Sequence, residues 1–216
     1  MPSDTSNNRT LSRREREWAR HRQEMLDAAE AAFSEYGFGK ARMEDIAQRA
    51  EFAVGTLYRF FSSKDQLYLE LLRDKADVME ERLGEAINAA NTPLEKVRNI
   101  FFTRLDLFWE HKAFFRLMVQ ETEGTLCKPH VGGDKELQAR YSQFLELVES
   151  ILIEGIRLGE FRGAPPQCLV AAFEGTLRAY VARLGYLAPD APRDPGEEKA
   201  MFELFSHGAC LVPESQ

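Results

Sequence analysis

The stretch Met43–Lys64, MEDIAQRAEFAVGTLYRFFSSK, constrains the fold more than any other part of this 216-residue chain. It holds two short helical patterns. Ile46, Ala47 and Ala50 form one apolar stripe, and Leu57 with Phe61 forms another at i, i+4. The connection Glu51–Ala53 is too short to let the second helix run back alongside the first, so the two must cross steeply. That is the geometry of a helix-turn-helix, whose second helix fits a DNA major groove. The residues of that helix pointing away from Leu57 and Phe61 are Gly55, Thr56, Tyr58 and Arg59, which are small or hydrogen-bonding. Such a face suits close approach to phosphates and base edges.

The run GTLYRFF, followed by SSKDQLY and preceded by MEDIA, resembles the DNA-binding head of the TetR family of bacterial transcription regulators. The specific resemblance spans about residues 24 to 72; the rest of the chain agrees in length, helical content and element order. The resemblance implies a homodimer that binds a palindromic operator, more often as a repressor, and is released by a small-molecule effector. It also implies site residues. Thr56 and Tyr58 fall on positions that hold DNA phosphates, and Lys64 falls on a lysine at the start of the fourth helix, where ammonium and helix dipole both favour a phosphate. Val54 and Gly55 align with positions that reach base edges, and Arg59 has the reach for guanine. Arg42 and Met43 stand where the family often has hydroxyl residues that cap the second helix and touch DNA. Three residues depart from the pattern: Glu51 replaces the glycine of the turn, Ala53 the hydroxyl cap of the recognition helix, and Phe60 a frequent histidine or tyrosine.

Charge at first argues against a nucleic-acid partner, because the chain carries a formal −7. Its distribution reverses that. Residues 1–64 hold 11 Lys+Arg against 10 Asp+Glu, so the acidic excess lies entirely downstream. Arg9, Arg13, Arg14, Arg16, Arg20 and Arg22 crowd the first 22 positions, either as a solvated tail or as a steering patch for DNA.

Along the chain, residues 1–12 read as a disordered arm, 13–70 as the helix-turn-helix domain and 71–212 as a helical body for ligand binding and dimerisation. The first helix carries Met25, Leu26, Ala29 and Phe33 at helical spacing and stops at Gly37. Ser63-Lys64-Asp65-Gln66 and Thr92-Pro93-Leu94-Glu95 are helix starts, and Lys135–Leu158 is a long amphipathic helix. Pro165-Pro166 opens a helix to about Leu187, and Asp194-Pro195 opens the last. TEGTLCKPHVGG, residues 122–133, is a loop. No segment alternates with a period of two, so the fold class is all-α, with about nine helices.

In the body, Phe101, Leu105, Phe108, Trp109, Phe115 and Met118, with Tyr141, Phe144 and Phe173, are candidates to line an effector pocket for an apolar or aromatic compound; for any single ring, a place in the core is the better expectation. Leu169, Phe173, Leu177 and Tyr180, then Met201, Phe202 and Phe205, are candidates for a dimer-forming four-helix interface. Cys127 and His130 lack the partners of a zinc site, so no metal and no cofactor are expected. The three scattered cysteines suit reduced thiols, and no run reaches the ~18 apolar residues of a membrane span. The expected location is the cytoplasm. No nucleophile–base pairing points to an enzyme. The rival reading is a small-molecule binding protein of this fold with weakened or lost DNA binding.

Overall fold

The structure, a computed structural model, describes residues 12–121 and 134–210. Ser12, the last residue of the expected arm, is instead the N-cap of the first helix; residues 1–11 of that arm, the loop at 122–133 with Cys127 and His130, and the Met118 side chain lie outside the described residues. Nine α-helices form among them: α1 (Arg13–Lys40), α2 (Met43–Arg49), α3 (Val54–Phe60), α4 (Lys64–Asn88), α5 (Pro93–Glu110), α6 (Lys112–Glu121), α7 (Lys135–Arg157), α8 (Pro166–Ala182) and α9 (Pro195–Ala209). The chain divides after Leu71 into two compact units, each with its own core.

In the first unit a capping box starts α1: Ser12 Oγ accepts from Glu15 N at 3.2 Å, and Glu15 Oε2 accepts from Ser12 N at 2.7 Å. Gly37, at φ +78°, breaks the helix where a side chain would be strained, and the chain turns toward α2. Met25, Leu26, Ala29 and Phe33 of α1 are buried with Ile46 and Ala47 of α2 and Leu57 of α3, as are Phe61 and then Leu67, Tyr68 and Leu71 of α4. The rings of Phe33, Phe38 and Tyr68 pack with centroids 5.0–5.6 Å apart. Leu57 and Phe61 therefore face inward as their spacing requires, which turns the opposite side of α3 to solvent.

The second unit is built on α5, α7, α8 and α9. Phe101 and Phe108 of α5, Val148 and Leu152 of α7, Phe173 and Leu177 of α8, and Phe202 and Phe205 of α9 share one buried cluster. Side-chain caps begin three of these helices. Thr92 and Glu95 form a capping box, Asp134 accepts from Leu137 N at 2.9 Å, and Asp194 accepts from Gly196 N at 2.8 Å. The helix opened by Pro166 was expected to run to about Leu187. Its α-helical part ends at Ala182 and a π turn, Arg183–Leu187, finishes it, with Ala188 N bonding Arg183 O at 2.9 Å.

Candidate nucleic-acid interface

With Leu57 and Phe61 buried, α3 exposes Val54, Gly55, Tyr58 and Arg59 along one side. Tyr58 is 47% exposed and Val54 38%, large values for side chains with apolar bodies. A Cβ placed on Gly55 would meet nothing within 4 Å, so no neighbour inside the chain demands the glycine. Its missing side chain keeps the outer surface of α3 low, which suits close approach of another backbone. Thr56 is half-buried at the edge of this stripe.

Beside α3 an open cleft of about 400 Å³ is lined by Gly39, Arg42, Met43, Glu44, Tyr58, Ser62, Ser63 and Lys64, among others. Arg42 is exposed at the N-cap position of α2, where its side chain makes no capping bond. It is free to meet a phosphate at the cleft. Glu44 lies in the same cleft and opposes that charge.

Two sequence assignments change here. Met43 is 5% exposed, its side chain taken into the head's interior, so it offers DNA no more than its backbone. Lys64 lines the cleft, but its ammonium is spent inside the chain. Nζ donates to Phe38 O at 2.7 Å, Ala41 O at 3.1 Å and Gly39 O at 3.2 Å, and lies 4.7 Å from the centre of the Phe38 ring. An ammonium has three donors, and these three carbonyls use them all. Lys64 thus ties the start of α4 to the α1–α2 connection and acts as a positioning residue for the cleft.

The three departures from the family pattern have visible consequences. Glu51 adopts φ +60°, the left-handed region that a side chain enters at a cost. Ala53 gives α3 no side-chain cap. Phe60 stacks on Trp18 of α1, with ring centroids 3.8 Å apart and planes within 19°. That stack joins residues 42 positions apart, which periodicity within one helix does not reveal.

In the second unit, Phe101, Leu105, Phe108 and Phe173 are fully buried, whereas Trp109, Phe115 and Phe144 are partly buried against the same core. A small cleft of about 10 Å³, roughly the room of one water, lies between Lys75, Val78, Met79, Leu107, His111 and Phe115. The sequence offers Tyr141 and Arg178 as polar handles but gives no sign of the Glu174 and Arg104 that join them. Glu174, 5% exposed, is bound by Arg104 and accepts from the Tyr141 hydroxyl at 2.9 Å, while Arg178 bonds that hydroxyl and lies 3.5 Å from the carboxylate. Burial alone raises the Glu174 pKa, but the guanidinium of Arg104 and the other partners outweigh it and hold the carboxyl below its ordinary value. Burial, with the adjacent carboxylate, pushes the Tyr141 phenol up to about 12.

The residues nominated for a dimer interface are also placed differently. Leu169, Phe173, Leu177, Tyr180, Phe202 and Phe205 are 0–7% exposed within the single chain, and Met201 packs partly against the same core. They are already consumed by the chain's own interior. The side of α8 left to solvent carries smaller residues, Cys168, Ala171, Ala172, Gly175 and Ala179, while that of α9 mixes Ala200 and Gly208 with Lys199, His207 and Leu204, which is 70% exposed.

Residues 25–71 match the family model described as bacterial regulatory proteins, tetR family. The transcriptional repressor KstR2 of Mycobacterium tuberculosis H37Rv is 28% identical over 141 residues, 65% of this chain and 69% of its own length. The fatty acid metabolism regulator protein of Bacillus subtilis is 25% identical over 144 residues, 64% of this chain and 70% of its own. Among solved structures, FadR of Bacillus subtilis in complex with stearoyl-CoA superimposes with a TM-score of 0.71 at 23% identity, covering 86% of this chain and 98% of that one. The ketosteroid regulator KstR2 of Mycobacterium tuberculosis gives 0.69 at 23% identity, over 88% and 95%. At these identities the structural likeness establishes the fold. Among the described residues no helix is long and apolar enough to cross a membrane.

Proposed function

We infer, from a head that belongs to the TetR family of bacterial regulatory proteins, that this protein is a DNA-binding transcriptional regulator: a repressor that grips a palindromic operator as a homodimer and lets go when a small ligand with an apolar or aromatic portion binds. The observation that carries this reading is the exposed stripe Val54, Gly55, Tyr58 and Arg59 on α3, turned away from the buried Leu57 and Phe61. Tyr58 and Arg42 take phosphates at the cleft, Thr56 supports them from the edge, and Val54, Gly55 and Arg59 read base edges. Its place of work is the cytoplasm, where operator DNA lies.

Dimerisation uses the small-residue stripe of α8 and the side of α9 around Leu204. Small side chains let two helices approach closely, and a two-fold axis presents two heads to two half-sites. The effector has an apolar or aromatic portion, on the strength of the partly buried Trp109, Phe115 and Phe144 beside the body core and of the acyl chain of the stearoyl-CoA bound by the FadR relative. Ligand acts by population shift, favouring a state of the dimer that fits the operator less well.

Selection of random duplexes on the purified protein, followed by binding to the winner at several salt concentrations, tests this reading. A palindrome with a steep salt dependence is expected, and long-chain acyl-CoA should release it. A folded, dimeric protein that enriches no sequence but binds the acyl-CoA would overturn it in favour of a ligand-binding protein without DNA affinity.

A further inference from the structure

Helix α1 begins well before the helix-turn-helix needs it. Its first turns are fixed by the Ser12–Glu15 capping box, so Arg13–Arg22 sit on a rigid helix and not on a loose tail. Most of these arginines are engaged. Arg13 pairs with Glu17 at 3.0 Å, Arg20 with Glu24 at 3.6 Å and Arg22 with Glu70 at 2.6 Å. Neither Arg14 nor Arg16 pairs with a carboxylate among the described residues, and both are exposed.

The two differ in direction. Trp18 fixes which side of α1 meets the end of α3, because its ring lies flat on Phe60. At about 100° per residue, Arg14 stands about 40° from Trp18 and one turn beyond it, on the side of α3. Arg16 stands about 160° from Trp18, on the far side. Trp18 itself remains 48% exposed although Phe60 covers one of its faces. A second tie, the edge contact of His21 with Phe52 at 5.0 Å, holds the next turn of α1 against the α2–α3 connection. The α1 face bearing Arg14 and Trp18 is thus held against the C-terminal end of α3, next in sequence to Tyr58 and Arg59.

We propose that this face is a second DNA contact, in which Arg14, aligned beside α3 by the Trp18–Phe60 stack, binds a backbone phosphate flanking the groove that α3 enters. The occupant is duplex DNA. It supplies the anion that an unpaired guanidinium meets, and the stack joins this face to the end of the helix already assigned to DNA. The proposal rests on the DNA-binding reading. It adds a contact that phosphate attraction to a basic tail would not distinguish, because a tail treats Arg14 and Arg16 alike.

The experiment uses the full chain and the operator recovered by selection, with affinity measured between 50 and 200 mM potassium chloride. Each phosphate contact contributes about 0.9 to the slope of log K against log salt, so Arg14→Ala in a dimer lowers its magnitude by about 1.8. Over that fourfold salt range, the loss of affinity becomes about tenfold smaller than in the parent. Arg14→Lys restores most of the slope, Arg16→Ala leaves it at the parental value, and base preference is the same in all three. Trp18→Ala, which releases the stack, lowers the slope as Arg14→Ala does. Equal slopes for Arg14→Ala and Arg16→Ala, whether both fall or neither does, overturn the proposal while leaving the parent's operator binding intact. A parent that binds no duplex overturns the proposal together with the reading beneath it.

Discussion

Lys64 offers a sharp test, because its position and its contacts point to different roles. A lysine at the start of a helix beside an open cleft suggests a phosphate ligand, yet its three donors are taken by Phe38, Gly39 and Ala41 carbonyls. Lys64→Met keeps the apolar stem over the Phe38 ring and removes the ammonium. A hydrogen bond to a charged group contributes roughly 1.5–3 kcal/mol when enclosed, and less at a surface. Two of the three bonds are part-buried and the lysine is half-exposed, so about 1 kcal/mol for each of those two, about 2 kcal/mol together, is the expected loss. At a urea slope near 2 kcal/mol per molar, the head's unfolding midpoint falls by about 1 M. Trp18 reports on the head, and a Trp109→Phe background leaves it as the sole tryptophan. Because the ammonium makes no phosphate contact, operator affinity weakens through the loosened cleft while the salt slope keeps its parental value. An unchanged urea midpoint with a slope smaller by about 1.8 would show a direct phosphate contact and refute the reasoning.

Glu51→Gly removes a side chain held at φ +60°. Relief of about 1–2 kcal/mol, less about 0.5–1 for the extra freedom of glycine in the unfolded chain, stabilises the head by about 0.5–1 kcal/mol in a urea melt. Tyr58→Ala weakens operator binding alike across sequence variants, whereas Arg59→Ala relaxes preference at one base step; equal loss of discrimination in both would sink that division of roles. Glu174→Gln leaves Arg104 without its buried counter-charge and costs the body about 3 kcal/mol, read as a lower urea midpoint. The Glu174 carboxyl is held below its ordinary value of 4.5, so its stabilisation is present above pH 4.5 and is lost as pH falls through the depressed folded value. The parent's body should therefore lose stability below pH 4.5 more steeply than Glu174→Gln does. Parallel acid profiles would contradict this.

Much of the head was legible because its information is local. Leu57 and Phe61 at i, i+4 set the buried side of α3, and the exposed stripe follows by subtraction. Gly37 breaks α1 shortly before its end at Lys40 for a reason written in one residue, its φ of +78°. What escaped was tertiary. The carbonyls that occupy Lys64 lie 23 to 26 residues upstream, and nothing in the SSK motif points to them. Met43 occupies the first position of α2, where a short helix leaves the apolar and exposed directions unresolved, and the interior took it.

In the body, charge and volume were ambiguous in different ways. Arg104 and Glu174 are 70 residues apart, and a carboxylate among alanines on an amphipathic helix ordinarily reads as solvated. Only the fold brings the arginine, the tyrosine and a second arginine around it. Helix α8 carries small or apolar residues on both its core and its solvent side, so periodicity alone does not tell the core side from a partner's side. Volume decides between them. Leu169, Phe173, Leu177 and Tyr180 gain most from burial, and the core each chain builds for itself claims them. Ala171, Ala172, Gly175 and Ala179 gain little apiece and remain outside, where their smallness leaves a surface another helix can approach closely. A bulky charged residue on that stripe, such as Gly175→Arg, should therefore abolish dimerisation while leaving the fold of the single chain intact. Loss of operator affinity follows, because one head reaches one half-site. Sedimentation of the variant as an unchanged dimer would place the interface elsewhere.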